Sequence, residues 1–70
     1  MKITVGAQPV YGMAECYVSY FEEINGLGYS ANLTVWVPWV DSYIEHQKLA
    51  REAARLFLER ALLAHSSPDP

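Results

Sequence analysis

Cys16, the single cysteine of this 70-residue chain, and His46, the one of its two histidines that does not lie at the chain's far end, are side chains whose types would suit nucleophilic or metal chemistry. A thiol beside an imidazole makes a nucleophilic pair, and thiolate with imidazole can hold zinc. The spacing supports neither. Thirty residues separate them, no CxxC or HxxxH pattern adds ligands, and nothing marks an oxyanion hole or a third group to orient the imidazole. Each falls where packing is expected, so the reading is an inert buried thiol and a packed histidine. Glu22 with Glu23, and Asp41 with Glu45, are carboxylate pairs of the kind that does acid/base work when burial separates their affinities for a proton. These lie at a turn and a helix start, where structural roles are usual. Gly26-Leu27-Gly28 lacks the strand-to-helix setting of a phosphate loop. The residues therefore predict no catalytic site, no metal, no cofactor and no small-molecule substrate.

The elements that must position any surface begin with a period-two segment. In Lys2 to Val5, Ile3 and Val5 take one side and Lys2 and Thr4 the other, which predicts a short strand. Gly6, Pro9 and Gly12 then predict a loop over residues 6–13. A second strand is expected over Ala14 to Glu22, with Ala14, Cys16, Val18 and Tyr20 on its more apolar side. Asn25-Gly26 follows, the strongest hairpin signal present, because both residues accept the positive φ of a type I′ turn. A third strand is expected from about Ser30 to Val37, apolar at Ala31, Leu33, Val35 and Val37. If the turn holds two residues, Ile24 faces Leu27, Tyr20 faces Ala31, Val18 faces Leu33, Cys16 faces Val35 and Ala14 faces Val37. Apolar sides meet apolar sides, which a one-residue slip would undo.

The stretch from Asp41 to His65 predicts one long amphipathic helix. Ser42 and Glu45 have the form of a capping box, and no proline or glycine interrupts the chain before Pro68. On a helical wheel Tyr43, His46, Gln47, Ala50, Ala53, Ala54, Phe57, Ala61 and Ala64 share one line, with Phe57 expected as the main knob and Tyr43 as the anchor of the first turn. Leu49, Leu56 and Leu63 widen the apolar arc on one side, and Ile44, Leu58 and Leu62 on the other. One three-stranded sheet cannot cover an arc that wide. The fold class is thus α+β, a three-stranded antiparallel sheet of order 1-2-3 packed on one C-terminal helix. Residues 1–65 are expected to form a single domain and 66–70 a flexible tail.

The bulk properties narrow the function classes. A hydrophobic content of 51% predicts a folded chain, and a net charge of −3 disfavours general binding to nucleic acid or anionic membranes. A single cysteine excludes an internal disulfide framework and makes a reducing cytoplasm the expected setting. No apolar run reaches the ~20 residues of a membrane span. Beginning at Met1 and ending in the polar SSPDP, the chain is expected to be the whole product of a small gene. A chain this short buries only about 60% of its unfolded surface, so association is a natural source of stability.

The sheet face turned from the helix carries Tyr17, Phe21 and Trp36 among Thr34 and Ser19, aromatic residues amid small polar ones, a composition typical of interfaces. The expectation is a non-enzymatic protein-interaction or assembly module, a homodimer or the partner of another protein. Its candidate surfaces are Tyr17, Phe21, Thr34 and Trp36, and the flank Leu49, Leu56 and Leu63. The alternative comes from QKLAREAARLFL, residues 47–58. Through Lys48, Ala50, Arg51, Ala53 and Ala54 it resembles the last helix of double-stranded-RNA-binding domains, and the order of three strands then a helix agrees. That resemblance implies phosphate contacts by Lys48 and Arg51, to which Arg55 adds a third basic group. The leading helix of that family is missing here, as is its Gly-Pro and His loop, and Gln47 replaces its first lysine.

Overall fold

Two residues in the left-handed backbone region organise the sheet. Asn25 and Gly26 have φ of 54° and 79°, the pair of positive values that turns a chain back on itself with the right-handed twist of its strands. The computed structural model of the chain describes residues 1–66 and contains four elements. These are β1 (Lys2–Val5), β2 (Met13–Ile24), β3 (Leu27–Pro38) and α1 (Tyr43–Ser66). The sheet is antiparallel, in the order β1-β2-β3. Every pairing expected from the turn is present, from Ile24 with Leu27 to Ala14 with Val37.

The hairpin strands run further than the sequence pattern implies. Each has twelve residues, because the two-residue turn keeps Glu23 paired with Gly28 and Glu22 with Tyr29 where alternation fades. The expected 6–13 loop contains a second tight turn. Val10 and Met13 exchange backbone hydrogen bonds of 2.8 and 3.0 Å around Tyr11 and Gly12, whose φ values are 52° and 74°. This is another turn with two positive φ values, built on a tyrosine that is completely exposed.

Ser42 caps α1, its Oγ accepting from the Glu45 N–H at 3.3 Å. The helix starts two residues later than Asp41 and closes at Ser66. Of the tail expected over residues 66–70, Ser66 lies in α1, and residues 67–70 lie outside the described residues. Ala50 and Ala54 press on the sheet with no solvent exposure, over Cys16, Val18, Val35 and Val37. Such small residues let a helix sit close to a sheet, and the core they close is small. Its largest wholly buried side chains are Val18 and Cys16.

The shape explains the small core. Strands of twelve residues are ~40 Å long and a helix of 24 residues ~36 Å. Lying parallel they would make a narrow rod, whereas the chain spans 39 × 35 × 16 Å. Helix and hairpin therefore cross at a large angle, meet over α1's first half, and diverge. From Phe21 to Asn32 and from Arg55 to Ser66 every residue is exposed. This overturns two expectations drawn from the helical wheel. Phe57 is 51% exposed and Tyr43 58% exposed, so neither anchors the core. A wheel identifies the side of a helix that faces a sheet, not how far along the helix the sheet reaches.

Candidate functional site

Cys16 and His46 are both buried, and each is occupied. The Cys16 thiol sits under the helix with no exposure, and its Sγ lies 3.9 Å from the Ala14 carbonyl oxygen as a weak donor. Loss of hydration at that depth pushes its pKa above the usual thiol value and keeps it protonated. His46 Nε2 accepts the Val40 N–H at 2.8 Å, and its ring stands edge-on to Trp39 with centroids 4.9 Å apart. Its nitrogen lone pair thus ties the β3–α1 connection together. Among the described residues no three His, Cys, Asp or Glu side chains are gathered closely enough to hold a metal ion, and no helix is long and apolar enough to cross a membrane.

Tyr17, Phe21, Thr34 and Trp36 do share one face. Tyr17 pairs with Thr34, Glu15 with Trp36 and Phe21 with Ser30, so alternation turns all these side chains away from α1. The face is open. Tyr17 is 43%, Trp36 46% and Phe21 71% exposed, and Thr34 is exposed too. The Tyr17 hydroxyl donates to Glu15 Oε1 at 2.6 Å, and this bond raises the phenol's pKa. The Phe21 ring lies over Gly28, where an added Cβ would stand 3.1 Å from its edge. Phe21 thus uses a glycine as its platform across the hairpin.

The leucine flank divides. Leu49 is half-buried against the core, while Leu56 and Leu63 stand 49% and 70% exposed beyond it. Leu56, Leu63, Phe57 and Ala53 line a shallow cleft with Arg60 and Glu59 along α1's free half. Leu58 and Leu62, on the other flank, are exposed as well. The hairpin adds residues that the sequence pattern does not single out: Leu27 and Tyr29 are 64% and 55% exposed on the helix-side face, beyond the helix's reach. Their signal is the turn, which extends both strands past the part that α1 covers.

Of the basic residues, Lys48 and Arg51 are exposed beside Gln47, Ile44 and Glu52 in a shallow groove on α1. Arg55 is engaged by the carboxylates of Glu52 and Glu59, one turn to either side. Those contacts raise the guanidinium's pKa and lower that of Glu52. Ala50, Ala53 and Ala54 face the sheet, Ala53 being half-buried. No family model, curated protein or solved structure matches the chain.

Proposed function

We propose that the chain is a non-enzymatic protein-interaction module that works as a self-associated dimer. One observation carries this reading: the apolar surface exceeds what the fold covers. Eight mostly small apolar residues are buried, whereas sixteen large hydrophobic side chains are exposed among the described residues. Eleven of them are grouped on the open sheet face, the distal hairpin and the free half of α1, and patches of this kind mark contact surfaces. Tyr17, Phe21, Thr34 and Trp36 are the central contact residues of this reading, with Leu56 and Leu63 on the helix. Sedimentation velocity across a concentration series tests it. A rise in sedimentation coefficient toward the dimer value supports the proposal, and a strict monomer at high micromolar concentration overturns it.

A second reading, double-stranded-RNA binding, is favoured by one feature. Lys48 and Arg51 are exposed on one groove and form no ion pair among the described residues. An RNA titration at low salt decides it: binding that Lys48→Ala and Arg51→Ala each weaken supports the reading, and binding indifferent to both removes it.

A further inference from the structure

We infer that two copies of the chain join antiparallel along the outer edge of β3, about a two-fold axis at Asn32, to make a six-stranded sheet. The inference rests on the self-association proposed above and names the surface. Its starting point is the direction of the backbone groups. Gly6 N–H donates to the Glu15 carbonyl at 2.8 Å, so Glu15, and by alternation Tyr17 and Ser19, turn their backbone polar groups toward β1. Cys16 and Val18 then face β3, and Trp39 N–H bonding the Gly12 carbonyl at 3.0 Å continues the same phase. On β3 the odd residues therefore bond β2. Gly28, Ser30, Asn32, Thr34 and Trp36 present N–H and C=O outward, along an edge with no strand beside it among the described residues. Pro38 falls in the same outward phase, where its missing N–H breaks no bond within the sheet.

This edge has no charged residue along its twelve positions. Open edges are ordinarily guarded by charge, shortness, proline or a bulge. The other edge follows that rule: β1 has four residues and carries Lys2, and the length of β2 beyond it carries Glu22 and Glu23. Only Pro38, at its end, protects β3. Because like charges meet across a two-fold axis, an uncharged edge is the one that can pair with its own copy.

A two-fold axis at Asn32 uses eleven of the strand's twelve residues, 27–37. Ser30 then faces Thr34 of the second copy and Gly28 faces its Trp36, and the five outward residues exchange ten backbone hydrogen bonds. On the helix side, Leu27 and Tyr29 come beside Val37 and Val35 of the second copy. The exposed end of each strand thus meets the covered end of the other, which a strand from an unrelated protein would not supply. An overlap of eleven residues runs ~36 Å. A strip of that length one sheet thick buries less per chain than the ~800 Å² of a standard interface, so a micromolar, concentration-dependent dimer is expected.

The test uses the full chain with one cysteine added at a time, the native Cys16 being buried. Under mild oxidation Asn32→Cys should form a covalent dimer. Ser30→Cys alone should not, but mixed with Thr34→Cys it should form the heterodimer, because facing Cα atoms ~5.5 Å apart suit a disulfide. Thr34→Pro removes an outward N–H without breaking a bond to β2 and should raise the dimer Kd about tenfold or more. Asn32→Lys, which leaves the backbone intact, should weaken association in the same direction. If the unsubstituted chain dimerises while Asn32→Cys stays uncrosslinked and Asn32→Lys dimerises normally, the β3 seam is wrong and self-association stands. A chain that is monomeric throughout overturns both, as does one whose β3 edge protects its amides from exchange only when another protein's peptide is added.

Discussion

His46 Nε2 accepts the backbone N–H of Val40, six residues earlier, at 2.8 Å. The bond holds the chain where it leaves β3 and turns into α1. It also fixes the tautomer, since an accepting Nε2 leaves the proton on Nδ1. The ring is 4% exposed and packs edge-on against Trp39. His46→Phe keeps the ring but leaves the Val40 N–H without its acceptor. It should cost about 1–3 kcal/mol in urea unfolding. A loss no larger than that of an exposed substitution such as Lys48→Ala would show that water takes the acceptor's place.

Tyr11 holds a φ of 52° with its side chain wholly exposed, in a turn whose next residue, Gly12, is also positive. A bulky L-residue pays about 1 kcal/mol to stay in that region, and asparagine pays less. Tyr11→Asn should therefore stabilise the fold by up to about 1 kcal/mol, visible as a higher thermal midpoint. Gly12→Ala, which forces a Cβ into the same region, should lower it.

These two turns show what the sequence makes legible. Asn25-Gly26 is legible because both residue types favour the backbone they adopt, and alternation on each side fixes the same register. Tyr11-Gly12 forms a similar turn from a residue that disfavours it, held by the Val10–Met13 hydrogen bonds, so composition gives no sign of it. The open face of Tyr17, Phe21, Thr34 and Trp36 follows from alternation alone. The uncovered half of α1 does not, because the crossing angle between helix and hairpin depends on packing along the whole contact.

Phe57 makes that difference measurable. As the helix's main knob its truncation would cost the 3–5 kcal/mol typical of a buried phenylalanine. With half its surface exposed beyond the sheet, Phe57→Ala should cost about 1 kcal/mol or less by the area it buries. Val18→Ala, in the closed core, should cost more. Urea unfolding of both variants at concentrations low enough to keep the chain monomeric checks the order, and the reverse order would place Phe57 in the core.

The Arg55 fork tests whether surface charge contributes to stability. Glu52 and Glu59 hold the guanidinium on an exposed helix face, where screening and side-chain entropy offset most of the attraction. Arg55→Ala should lower the thermal midpoint slightly at low salt and leave it unchanged at high salt. Because the contact depresses the Glu52 pKa, its small contribution is present above the ordinary glutamate pKa and fades as pH falls through the folded value. A loss at high salt equal to that at low salt would show that the fork acts through packing rather than charge.

Cys16 gives the alkaline counterpart. Burial pushes its thiol pKa above the unfolded value, so the folded state binds the proton more tightly than the unfolded chain does. The resulting stability is complete below the unfolded thiol pKa, roughly 8.5, and is lost as pH rises through it toward the folded value. Urea midpoints should therefore fall between neutral pH and pH 10, and the fall should be shallower in Cys16→Ala, which has no proton to lose. The same burial predicts that a thiol reagent labels Cys16 only as fast as the core opens. Labelling should then slow in proportion to added stability, as with Tyr11→Asn. Rapid labelling indifferent to stability would mean that the helix does not seal the sheet over Cys16.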